Sequence, residues 1–167
     1  MTLRAAKMSL VFCVALYLTV VVFTNLTDYE PNLDLVRHVL MMDSTFVDGH
    51  SMWRALNAPA WHVAFYGSIV LWELTAAILC WWGGFRLAVA LKKDALAFRQ
   101  AKNLAIAGLT LNLLMWLVAF LTVGGEWFLM WQSRVWNGQQ SAFRMFTVVG
   151  IVLLLLVQPE VEGEDQP

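Results

Sequence analysis

The chain reads as an all-α integral membrane protein: a four-helix bundle with both termini cytoplasmic and a partly helical outer loop between helices one and two. Three observations carry this reading. Of 167 residues, 60% are hydrophobic and 14% charged, whereas soluble domains carry about 25% charged residues. Four apolar runs approach the roughly 20 residues that cross a bilayer. The cations gather in short segments beside those runs instead of covering a surface. With a formal charge of −1 there is no basic face for nucleic acid, and none is expected as a partner.

The spans run from Met8 to Thr24, Ala60 to Trp82, Leu104 to Val123 and Ala142 to Val157. The first and last are slightly short and are completed by flanking residues, with Arg144 extending its guanidinium outward from the fourth. Arg4 and Lys7 give the first span the basic start of a secretory signal, but no small-x-small cleavage pattern follows, so it is expected to stay as an anchor. Arg86, Lys92, Lys93, Arg99 and Lys102 fill the connection between spans two and three. Positive charge on the inside then places both termini in the cytoplasm. No repeat or Ser/Gly linker divides the chain, so residues 1–158 form one membrane domain and residues 159–167 an acidic, disordered cytoplasmic tail. Cys13 and Cys80 both lie in apolar runs and give neither a disulfide framework nor a thiolate metal site.

In the outer loop, Asp28 to Asn32 is expected to turn, and Leu33 to Met42 has the apolar spacing of a short amphipathic helix. Asp48-Gly49 marks a turn, Ser51 caps a short helix through Ala55, and Pro59 stands at the first turn of span two. The basic connection, Arg86 to Lys102, reads either as a helical extension of both spans or, preferably, as a surface element drawn to anionic lipid.

One acid, Glu73, sits near the middle of span two, where an ionisable group is costly and points to function by default. If spans two and three are antiparallel neighbours, Asn112 lies at similar depth and is expected to hydrogen-bond Glu73. The Asn112 face also carries the small residues Ala101, Ala105, Gly108 and Ala119, which permit close helix approach. His62, Tyr66, Ala77 and Cys80 share the Glu73 stripe. Ser9, Cys13, Tyr17 and Thr24 are expected to line the same seam from span one. Glu73 is then either interhelical glue, with a polar contact worth about 0.6–2 kcal/mol, or a protonatable relay leading through Tyr66 and His62; glue is preferred. A haem is disfavoured because no histidine faces His62.

The most distinctive segment is GGEWFLMWQSRVWNGQQSAFR, Gly124 to Arg144. Trp127, Trp131 and Trp136 alternate with Glu126, Gln132, Arg134, Asn137, Gln139 and Gln140. An aromatic belt accounts for the tryptophans, since the ring is apolar while its N–H needs a partner. A belt does not account for so many amides and charges, which leaves a headgroup, a quinone ring or a partner protein as ligand. Arg37, His38, Asp43 and Arg54 of the first loop are expected to pair with Glu126 and Arg134 of the third. A metal on His38, Asp43 and His50 is disfavoured, because these donors lack ligand spacing.

This segment, together with VRHVLMMDSTF (Val36 to Phe46), NLTDYEPN (Asn25 to Asn32) and the acid of span two, resembles the family of predicted small integral membrane proteins catalogued as domain of unknown function 2165. The resemblance implies a four-helix integral membrane protein of the bacterial inner membrane, and it brings no activity with it. No phosphate-binding loop, nucleophile elbow, HExxH or cysteine pair is present. The chain is therefore expected to be non-catalytic and without cofactor: an accessory or scaffolding component that binds membrane lipids and a membrane-protein partner or a second copy. The alternatives are a component of a small transporter or proton-coupled channel using Glu73, and a quinone- or lipid-reactive protein acting at the outer rim.

Overall fold

The computed structural model describes residues 1–46 and 50–160. The helices are α1 (Thr2–Thr27), α2 (Tyr29–Met41), α3 (Pro59–Ala90), α4 (Ala95–Ala101), α5 (Asn103–Leu114), a π-helical segment (Met115–Trp127) and α6 (Gln139–Val157). Short 3-10 turns lie at Met52–Arg54 and Met130–Gln132. Among the described residues there is no strand. Among the described residues, four helical stretches are long and apolar enough to cross a membrane: α1, α3, the continuous run Ala95–Trp127, and α6.

Each stretch outruns the apolar run that announced it, because helix propensity continues into polar flanks. Tyr29, Glu30 and Pro31 open α2 instead of forming a separate turn. Proline is tolerated there, since the first N–H groups of a helix have no partner to lose. Most of the basic connection is likewise helical. Asp94 caps α4 by accepting the Ala97 N–H at 2.7 Å, and α4 runs almost directly into α5. Pro59 opens α3, as its fixed φ favours. The expected turn at Asp48-Gly49 lies outside the described residues.

The central helix is α3, which packs most extensively on α1 and α5, while α6 closes the bundle against α5 and the π-helical segment. Val11, Ala15, Leu18, Ala77, Cys80, Leu87, Ala105, Leu109, Val149 and Leu156 form the main core. The small-residue face of span three is buried at Ala101, Ala105, Gly108 and Asn112, while Ala119 is half-buried. A Cβ on Gly83 would collide with the Ala105 backbone, and one on Gly108 would meet Cys80 Sγ and N at 2.8 and 2.9 Å. These two glycines set the spacing of α3 and α5.

Span one departs from its expected seam at three of four positions, only Tyr17 being half-buried against the core. Ser9, Cys13 and Thr24 are exposed, and the buried stripe is Arg4, Lys7, Val11, Val14, Leu18 and Val22. Apolar β-branched and leucine side chains took the core-facing positions, leaving the small polar ones outside.

Antiparallel pairs fix the register of α1 on α3. Phe12 meets Phe85, Trp81 Nε1 donates to Thr19 Oγ1 at 2.9 Å, and Asn25 Nδ2 donates to Glu73 Oε2 at 2.7 Å. Glu73 therefore stands level with the last turn of α1. From there α3 continues about 21 Å to Pro59 beyond the end of its neighbour. The loop face of the bundle, opposite the start of α1 and the end of α6, is built on this overhang.

Candidate functional site

The buried acid does not bind the residue expected for it. Glu73 is held by Asn25, and the Tyr66 hydroxyl donates to the Asn25 carbonyl at 2.6 Å. That carbonyl belongs to the last turn of α1 and has no helical partner of its own. Asn112 is 1% exposed, and neither its amide nitrogen nor its oxygen is bonded. The cause is register. Gly83 faces Ala105 and Gly108 faces Cys80, so one further turn sets Asn112 opposite Ala76, a turn away from Glu73. His62 bonds through Nε2 to the Leu56 carbonyl at 2.7 Å and holds the loop, while Tyr29 stacks edge-on against Tyr66. The seam is thus a clasp joining the end of α1 to the middle of α3.

Above it, loops one and three interlock, by contacts other than the expected ion pairs. Arg37 pairs within its own helix with Asp34 at 2.6 Å. His38 donates from Nδ1 to Asp43 at 2.6 Å while its ring stacks on Trp136, centroids 4.3 Å apart. Arg54 donates to the Trp127 carbonyl at 3.1 Å and lies over the Trp53 and Trp127 rings. Gln132 accepts the Phe46 N–H at 3.0 Å, Trp131 meets Phe46 edge-on, and the Ser44 hydroxyl donates to Ser133 at 2.8 Å. Asn137 turns to local work, accepting the Gln139 N–H at the start of α6. Glu126, Arg134 and Arg144 are exposed and enter no ion pair among the described residues. Stacking and amide bonds won because the tryptophans bring apolar area to each contact, whereas exposed ion pairs contribute about 0–1 kcal/mol. No group of three His, Cys, Asp or Glu side chains among the described residues converges to hold a metal.

Beneath the interlocked loops lies a cavity of about 200 Å³ between α2, α3 and the π-helical segment. Leu35, Val36, Val39 and Leu40 form one wall; Phe65, Ile69 and Trp72 a second; Val118, Ala119, Phe120 and Val123 a third. The π-helical segment bonds five residues back, as Phe128 N–H to the Val123 carbonyl shows at 2.9 Å, so residues four and five apart share a face. That widened turn brings its apolar side chains together on the cavity. The one hydroxyl in the lining, Ser68, is engaged by the Phe65 carbonyl at 2.7 Å.

The family model for predicted small integral membrane proteins, DUF2165, matches residues 3–159. The chain belongs to this family. Comparison with curated proteins and with solved structures gives no match. The family description agrees with the four spanning helices, and its match runs through the clasp, the interlocked loops and the cavity alike.

Sequence reasoning also missed a charged cluster at the terminal end of the bundle. Lys7 and Lys102 reach Glu160 Oε1 at 2.8 and 2.5 Å, and both donate to the Gln158 carbonyl. Arg4 lies 3.6 Å from Glu160 Oε2 and donates to the Lys93 carbonyl at 2.7 Å. Burial pushes the Glu160 carboxyl up, but its hydrogen bonds to Lys102 and Lys7 outweigh that and hold it below the usual carboxylate range. Glu160, read from sequence as the start of a solvated tail, is gripped here; residues 161–167 lie outside the described residues. The available signal was two lysines next to apolar runs, one at the start of span one and one just before span three, with the first acid of the tail following span four.

Proposed function

We propose that this family member is a non-catalytic accessory component of the bacterial inner membrane that holds a lipid hydrocarbon chain in the cavity under its loop face, both termini being cytoplasmic. The cavity carries the reading: its walls are apolar and its single hydroxyl is already bonded within the chain. No charged side chain among the described residues lines it, so it offers a ligand dispersion and area burial, at about 25 cal/mol per Å², and little else. The interlocked loops above it, with exposed Trp127 and Trp131, supply a rim for the headgroup region or for a membrane partner. Orientation rests on the cations, seven of which, Arg4, Lys7 and the five from Arg86 to Lys102, cluster at the terminal end.

Photo-crosslinking with a phosphatidylcholine bearing a diazirine on its acyl chain tests the proposal. Labelled peptides are expected from Leu35–Leu40 and Val118–Val123, and Ala119→Trp is expected to remove that labelling by filling the cavity. Equal labelling of all four spans, unchanged by Ala119→Trp, would sink it. A second reading, a component of a proton-coupled transporter or channel, draws on the burial of Glu73 behind Asn25 and Tyr66. It requires Glu73→Gln to abolish proton uptake in vesicles while the fold persists.

A further inference from the structure

A second groove, of about 370 Å³, opens at the terminal end where α3 hands over to α4. Its floor is Ala90, Ala97 and Ala101, small residues that leave room above the helix junction. Along one side stand Trp82, Arg86 and Val89, at steps of four and three residues on one stripe of α3, and Lys93 in the turn that follows it. Trp82 is 61% and Val89 71% exposed, so this is an open apolar surface with cations set into it.

The cations are available. Arg86 and Lys93 are exposed and make no ion pair among the described residues. The nearest acid in sequence, Asp94, has its carboxylate engaged as the cap of α4. The turn that presents Lys93 is tied down by Arg4, which bonds the Lys93 carbonyl. Along the groove the aromatic rings of Trp82 and Phe85 come first, toward the bundle centre, Arg86 directly follows Phe85, and Lys93 stands at the terminal end with Val89 between the two cations. A ligand matching that order has an apolar body in the membrane and an anion at its surface. A soluble anion would leave the aromatic half unused, and a neutral lipid would leave two cations uncompensated.

We propose that this groove binds an anionic phospholipid of the leaflet on the side of the termini, its phosphate between Arg86 and Lys93 and one acyl chain along Trp82 and Phe85. The site is independent of the cavity at the loop face. Basic pockets between membrane helices recognise lipid headgroups by this chemistry, with each cation adding to the attraction.

The full chain in neutral detergent, titrated with phosphatidylglycerol or phosphatidylcholine and followed by native mass spectrometry, tests the proposal. Phosphatidylglycerol is expected to bind about tenfold tighter or more, and Arg86→Gln with Lys93→Gln to remove that preference. Lys92→Gln with Arg99→Gln, which alters exposed cations outside the groove, is expected to leave it within about twofold. Ala97→Trp fills the groove without changing charge and is expected to weaken phosphatidylglycerol binding; circular dichroism checks its fold, and if it unfolds the two glutamine pairs decide. Equal effects from both glutamine pairs would mean diffuse attraction to a basic surface and overturn the site. Competition by millimolar inorganic phosphate, with no effect of Ala97→Trp, would mean a simple anion site and overturn the lipid assignment.

Discussion

Asn112 is the clearest case of a side chain whose chemistry its surroundings do not use. A buried amide with no partner costs about 1–3 kcal/mol, and Asn112 lies among Ala76, Leu109 and Met115, all at most 1% exposed. Asn112→Leu is therefore expected to stabilise the protein by about 1–3 kcal/mol, read from thermal unfolding in detergent; destabilisation would show that the amide has a partner after all. Glu73 has the opposite standing. Glu73→Gln keeps an acceptor for Asn25 and is expected to cost under about 1 kcal/mol, whereas Asn25→Leu strands the acid and is expected to cost about 1.5–3 kcal/mol. At Gly83 any side chain meets the backbone of Ala105, which cannot swing aside, so Gly83→Ala is expected to cost about 1–3 kcal/mol. The presence of a buried acid and a small-residue face was readable from residue types alone. The partner of the acid was not, because Asn25 stands just past the apolar run of span one, at the expected outer edge, and only the overhang of α3 beyond the end of α1 brings it level with Glu73.

Among the elements, α2 and the segment around Trp136 decide how firmly the loop face is closed. The first loop was legible as an amphipathic helix, since Leu33 and Leu40 lie two turns apart on one face and both are buried. Its docking was not legible: the pairing of His38 with Trp136 and of Phe46 with Gln132 joins positions far apart in sequence, and residue types offer several equally good charge matches. Trp136→Ala removes the stacked ring, worth about 0.5–1.5 kcal/mol. It is expected to speed amide hydrogen exchange from His38 to Phe46, measured by mass spectrometry, with exchange in α3 unchanged. The π-helical segment had no signal in the apolar pattern, because a run in which nearly every residue is apolar fits any helical period.

For the molecule as a whole, the four spans and their antiparallel order followed from hydropathy and loop length, while the closure of Glu160, just past α6, onto the start of α1 did not. Glu160 binds the lysines of α1 and of the α4–α5 junction, and its folded pKa lies below the unfolded value. The sign follows: such a carboxylate contributes stability above its unfolded pKa, and that contribution is lost as pH falls through the folded pKa. Unfolding of the wild type and of Glu160→Gln in detergent is expected to differ at pH 7 and to converge in acid. The same closure bears on the order of synthesis. Lys7 is made before Lys102, yet the carboxylate that meets both comes only after α6. Until α6 has inserted, the ammonium groups of Lys7 and Lys102 at the edge of the bundle wait for their counter-charge, so Glu160 registers that the fourth spanning helix has joined the first.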